Sequence, residues 1–258
     1  MFEGSARPLS QQGIDAAVNQ LGVDAPALWA VLTVETSGCG FLPDRRPKIL
    51  FERHWFSRLT NHAFDAQAPD ISNPNAGGYG AGGGFQYERL GKAIALDRTA
   101  ALKSTSWGLG QVMGFNASKV GYSNVNALVA AAQESEDAQL LAMVNFIKQA
   151  NIASHLQQGD WAGFAFRYNG TDFQKNKYDV KLDMFHKRYL QGPLPDLTVR
   201  RLQLGLMLLR YAGQNSVDGW FGYNTQRALM RFQADHSLAV SGVGDSATQS
   251  RLSSVLKW

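Results

Sequence analysis

Apolar residues recur at helical spacing along most of the chain. Ile14, Ala17, Val18 and Leu21 form one stripe, and Ser10 is placed to cap the helix that carries it. Asp24 predicts a second helix start, with Pro26 in the first turn. In this helix Leu28, Val31, Leu32 and Glu35 fall at i, i+3, i+4 and i+7, so an apolar face ends on a carboxylic acid. Thr36, Ser37 and Gly38 follow, and glycine is the residue best suited to close a helix in the left-handed conformation. A third helix is predicted over 49–59, with Glu52, Trp55, Phe56 and Leu59 on one face. Residues 61–86 are rich in Asn, Pro, Asp and Gly and read as a long loop, of the kind that is often functional. Short helical patterns resume over 87–103, whereas 106–113 is too rich in glycine for a helix interior. Helical spacing returns over 124–155, where Leu140, Val144 and Ile147 share a stripe and Ser135 is a cap. Asp160 caps a further helix whose Trp161, Phe164, Ala165 and Tyr168 point one way and which Asn169-Gly170 stops. Another runs over 178–190. Period-two alternation is not sustained anywhere in this part, so the fold class expected is mainly α.

The run Gln191-Gly192-Pro193-Leu194-Pro195-Asp196 is the clearest boundary. It divides the chain into an expected domain over 1–191, a linker over 192–197 and a small domain over 198–258. The tail echoes itself: Asp218-Gly219-Trp220-Phe221-Gly222-Tyr223-Asn224-Thr225 resembles Ser241-Gly242-Val243-Gly244-Asp245-Ser246-Ala247-Thr248. Each is a glycine turn leading through Thr into a Leu-bearing helix (Leu229, Leu252), which predicts a pseudo-repeated helical unit.

Composition narrows the function classes. The formal net charge is +4, and the tail from 193 holds 7 basic against 4 acidic groups, where 1–192 holds 18 against 17. That mild bias suits a polyanionic partner. Lys and Arg never form the long basic run of a nucleic-acid binder, so no nucleic acid is expected. Apolar runs fall short of the roughly 20 residues a membrane span needs, so no membrane insertion is expected. The N-terminus lacks a signal-peptide pattern, which predicts synthesis in the cytoplasm and release or delivery by another route. Cys39 is the only cysteine, which excludes an intrachain disulfide and suits a small buried apolar residue. The five histidines are scattered with no His-Glu-x-x-His run, so no metal and no cofactor is expected, and a zinc amidase is disfavoured.

Glycosidic hydrolysis is one chemistry these pieces could do. It needs an acid to protonate the leaving oxygen and a second group to stabilise or hydrate the cation-like centre. Glu35, at the mouth of an apolar face, is the natural acid, since desolvation would hold its proton near neutral pH. Glu52, seventeen positions on, is the best partner, with ion pairing to Lys48, Arg45 or Arg46 as its alternative role. Asp44 sits in a turn and Asp97 looks like a cap.

Three segments resemble, in order, the motifs of lytic transglycosylases and goose-type lysozymes: Glu35-Thr36-Ser37, Ser106-Trp107-Gly108-Leu109-Gly110-Gln111 and Ala165-Phe166-Arg167-Tyr168-Asn169-Gly170. The match to the phage-type N-acetylmuramidase family is closer, through Val34-Glu35, Gly40-Phe41-Leu42-Pro43-Asp44, Pro47-Lys48-Ile49-Leu50-Phe51-Glu52-Arg53-His54, Ser106-Trp107-Gly108 and Arg167-Tyr168-Asn169-Gly170. This resemblance implies a lysozyme-like helical domain that cuts the β-1,4 bond after N-acetylmuramic acid. It implies Glu35 as catalytic and Glu52 as its assistant, Ser106 and Gln111 lining a saccharide cleft, Tyr168 beside Glu35, and Asn169 supporting the site. Thr36 stands where transglycosylases carry Ser, which favours hydrolysis over anhydro-product formation. The tail resembles a peptidoglycan-binding module through Leu202-Gln203, Tyr211-Ala212-Gly213, Val217-Asp218-Gly219-Trp220-Phe221-Gly222, Thr225, Leu229, Phe232-Gln233, Gly242-Val243-Gly244 and Thr248, with Ser241 where Asp is usual. That implies a three-helix unit in which Asp218, Trp220 and Phe221 are the wall-binding candidates. Asp218 suits turn closure, and Trp220, if exposed, would stack on sugar. The partner implied is the peptidoglycan glycan strand, met by a monomer at the bacterial cell wall in the periplasm. A lytic transglycosylase using the same acid and a non-catalytic wall-binding protein are the alternatives.

Overall fold

The central element is α2 (Ala25–Thr36), whose Ala27, Leu28, Trp29, Ala30, Val31 and Leu32 are all buried. A helix apolar on every side must be wrapped by others. Around it pack α1 (Gln11–Leu21), α7 (Glu136–Gln149), α9 (Trp161–Asn169) and α10 (Tyr178–Gln191), which together form one apolar core. The computed structural model describes residues 2–36 and 38–258, with Asp172 described by its backbone alone. Ser37, part of one sequence motif, lies outside the described residues. The caps stand where side-chain chemistry predicts them. Ser10, Asp24, Asn124, Ser135 and Asp160 each accept a hydrogen bond from a backbone N–H three residues on.

A second core forms around a small antiparallel sheet of order β1 (Ile49–Phe51), β2 (Thr105–Trp107) and β3 (Val112–Met113), covered by α3 (Arg53–Leu59), α4 (Phe85–Leu96), α5 (Arg98–Lys103) and α6 (Val125–Glu134). Ile49 pairs with Trp107, Leu50 with Ser106 and Phe51 with Thr105. The helix expected over 49–59 is therefore corrected at its start. Residues 49–51 are strand, and Glu52 precedes the helix without capping it by its side chain. Three residues are too short a strand to show a period, and here the partner strand, not local spacing, decides the conformation. A short α8 (Ala153–Gln157) links α7 to α9.

The C-terminal part holds α11 (Leu197–Leu208), α12 (Tyr223–Asp235) and α13 (Ser246–Leu256). Its pseudo-repeat has a physical basis in two buried glutamines. Gln203 accepts from the N–H groups of Asp218 and Gly219 and donates to Asp218, Trp220 and Thr225. Gln233 accepts from Gly242 N–H and donates to Ser241, Val243 and Thr248. The Ser241 hydroxyl thus takes the place of the Asp218 carboxylate, and the second turn keeps its form. The core of this unit also contains Ala6, Cys39 and Phe41 from the N-terminal part.

That shared core is closed by an ion pair. Arg200 of α11 lies 3.3 Å from Glu136, and both are buried. Glu136 also accepts from the N–H groups of Leu9 and Gly40, while Arg200 donates to the carbonyls of Gly38 and Val217. Satisfied on these sides, the two charges fix the C-terminal unit against the end of α2. Gly38 permits the approach: its φ is +103°, and a Cβ there would stand 3.1 Å from the Val217 carbonyl oxygen.

Candidate active site

Glu35 is the penultimate residue of α2, and it lines an open cleft of about 290 Å³. Leu28, Val31 and Leu32 of its own face lie within the core, so the carboxyl emerges where the apolar packing ends. Desolvation raises it from an ordinary carboxylic acid to about 7, overcoming the opposite pull of the Asn169 hydrogen bonds and the Lys181 charge. Asn169 Nδ2 donates to both carboxylate oxygens, at 3.2 and 3.0 Å. It is held there by the end of α9, which Gly170 closes at φ +84°. Beside it, Tyr168 stacks on Phe164 and donates its phenolic O–H to the Gly110 carbonyl at 2.7 Å. Burial first, and the Glu35 charge second, push the Tyr168 phenol well above its usual range.

The facing wall is the hairpin turn between β2 and β3. Gly108 has φ +68°, and a Cβ there would collide with Gln139, so only glycine fits this turn. Gln111 lines the cleft, and its side chain pins the turn by donating to the Gly108 and Lys48 carbonyls. Ser106, buried behind it, donates to Gln111 Oε1 at 2.9 Å. Lys48 lines the cleft as well and reaches the Thr36 carbonyl at 3.4 Å. The Thr36 hydroxyl donates back to the Leu32 carbonyl, within its own helix.

The structure thus brings together Glu35, Tyr168, Asn169 and Gln111, with Ser106 in support. Glu52 does not line the Glu35 cleft, and the charge that acts on Glu35 is that of Lys181. Its carboxylate stands 3.2 Å from His54 Nδ1 and accepts from the Tyr79 phenol on the glycine-rich loop. Burial raises Glu52, while His54, Tyr79 and Arg89 pull it back. Asp44 Oδ2 accepts from both Nε and Nη2 of Arg46, and Asp97 caps α5. Among the described residues no three His, Cys, Asp or Glu side chains converge as a metal site.

Two contributors had no sequence signal of their own. Gly83, in the long loop, and Gln214, in the C-terminal part, both line the cleft. Gln86 fixes the loop by accepting from Phe51 N–H and donating to the Tyr79 and Ala81 carbonyls.

In the C-terminal unit, Asp218 Oδ1 accepts from Gln203 and from Trp220 N–H, closing a turn. Trp220 is half-buried against the core around α2, with the Arg188 guanidinium 5.2 Å from its ring. Phe221 is 48% exposed.

A mainly helical domain with a carboxylic acid raised to about 7 beside an open cleft is the kind of arrangement a lysozyme-like glycosidase uses. The family comparison makes this specific. Residues 24–190 match the N-acetylmuramidase family, so the chain belongs to it, and residues 196–252 match the peptidoglycan-binding domain family. Among solved structures, an endolysin of the Burkholderia AP3 phage is 41% identical, with a TM-score of 0.68 over 72% of each chain. No curated protein matches significantly. The chain is a peptidoglycan hydrolase of the N-acetylmuramidase type.

Proposed function

We propose that the enzyme cleaves the β-1,4 bond between N-acetylmuramic acid and N-acetylglucosamine, with Glu35 as the general acid. The observation that carries this reading is the Glu35 carboxyl, held to about 7 by burial yet open to a cleft. At neutral and mildly acid pH it holds a proton to give to the leaving glycosidic oxygen. Once the proton is given, Asn169 and Lys181 stabilise the carboxylate left behind, since both act to lower its pKa. Tyr168 and Gln111 keep the opposing walls at fixed separation through the Gly108–Gly110 turn. Glu52, 3.2 Å from His54 and accepting from the Tyr79 phenol, ties the glycine-rich loop beside the cleft and is the candidate to assist Glu35. The Thr36 hydroxyl, bonded into its own helix, favours hydrolysis over transglycosylation.

The division into a catalytic domain over 1–191 and a wall-binding domain over 198–258 accompanies this reading. Phe221 offers the exposed contact to the wall, while Asp218 and Trp220 shape the turn behind it. Action at the cell wall follows release or delivery from the cytoplasm.

Glu35→Gln is expected to lower the clearing rate of wall suspensions by at least about 10²–10⁴-fold while wall binding persists. Undiminished clearing would remove Glu35 from the mechanism. Mass spectrometry of the wild-type digest is expected to show reducing N-acetylmuramic acid ends. Anhydro ends would make the enzyme a transglycosylase.

A further inference from the structure

We infer that the C-terminal unit is a wall of the catalytic cleft, and that its Gln214 contacts the glycan strand there. This rests on the glycosidase reading of Glu35. Gln214 lines the same cleft as Glu35 although 179 positions separate them. It sits in the loop between α11 and α12, half-buried, and among the described residues none hydrogen-bonds its amide. A half-buried amide turned to an open cleft is a group with both an N–H donor and a C=O acceptor to offer.

The loop that carries Gln214 is held in place. Ser216 N–H and Oγ both bond the Gly213 carbonyl, at 3.2 and 2.6 Å, so the segment closes on itself around Gln214. At its base, Arg200 donates to the carbonyls of Val217 and Gly38, joining the loop to the residue just past the catalytic helix. Arg200 is in turn paired with Glu136, so the position of Gln214 is set from within the shared core. Across from it stands Gly83, where a Cβ would lie 3.8 Å from Gln214 Oε1. The glycine-rich loop and the C-terminal unit therefore approach each other at the cleft.

The ligand chemistry follows from the amide. An N-acetylated sugar presents an N–H and a C=O of its own, and a side-chain amide is complementary to both. Gln214 is thus a substrate-binding residue supplied by the unit that sequence reading treats as an anchor. Preformed in this way, it adds affinity for the strand at the cleft without taking part in proton transfer.

The test uses the full chain and soluble peptidoglycan glycan oligomers, too short to engage a wall surface. Gln214→Ala is expected to raise KM about 3- to 10-fold, the range of one neutral hydrogen bond, with kcat within about twofold. The alkaline midpoint of the pH–rate profile and the melting temperature stay at their wild-type values. An unchanged KM, or a KM change that appears only with a lowered melting temperature, overturns the inference. The second measurement is oligomer binding to Glu35→Gln and to Glu35→Gln/Gln214→Ala. Weaker binding by the double variant supports the inference, and equal binding overturns it. The glycosidase reading fails by a different result, cleavage by Glu35→Gln.

Discussion

At pH 5 the Glu35 carboxyl is protonated in the folded chain, whereas at pH 9 it must be charged in a site that denies it water. Because the folded state binds this proton more tightly than the unfolded chain, the associated stability is complete below about 4.5 and is lost as pH rises through about 7. Glu35→Gln, neutral at every pH, is therefore expected to match wild type in melting temperature at acid pH. At pH 9 its unfolding free energy should exceed that of wild type by about 1–2 kcal/mol, the shift being discounted for a cleft open to water. A second expectation concerns Asn169, whose N–H groups favour the carboxylate. Asn169→Ala should move the alkaline limb of the pH–rate profile to higher pH and lower kcat, because the acid is left without its guide. A limb that stays in place or moves down would mean that Asn169 does not act on the acid. Glu35 was legible in the sequence because it stands where an apolar helix face ends, while spacing marked Asn169 only as a helix stop and the family resemblance alone implied its place at the site. The setting of Glu52 was not legible. Its partner Tyr79 comes from a loop without periodicity, and nothing local announced that the two would meet.

At the scale of elements, caps and turns could be read directly, since each depends on a few adjacent residues. The short strands could not, because Ile49–Phe51 becomes strand only by pairing with Thr105–Trp107. The repeat in the tail was visible as glycine turns, while the glutamines that build it appeared only as part of a family pattern. The contact of α11 with α7 had no sequence trace at all. Arg200→Met should cost about 3–5 kcal/mol of stability, because Glu136 would remain as a buried charge without its cation. The double variant Arg200→Met/Glu136→Gln should lose less than the sum of the single changes. Strict additivity in denaturant melts would show that the pair is not coupled.

Over the whole molecule, the sequence divides at Gly192–Pro193, but the apolar packing does not. Ala6, Cys39 and Phe41 are buried among side chains of α11, α12 and α13, and Arg200 reaches the end of α2. Long-range packing of this kind leaves no periodic mark near the residues that join it. Calorimetry of the full chain should accordingly give one cooperative transition, not two. Two resolved transitions would mean that the halves fold independently. Residues 1–192 alone should be poorly soluble, since the cover over Phe41 and Cys39 would be gone.

Two domains joined by a short linker can be recombined at will only if neither lends side chains to the other's core. Here recombination would fail at the seam. A foreign targeting unit would have to bring complementary partners for positions 6, 39, 41 and 136, or those positions would have to be redesigned with it.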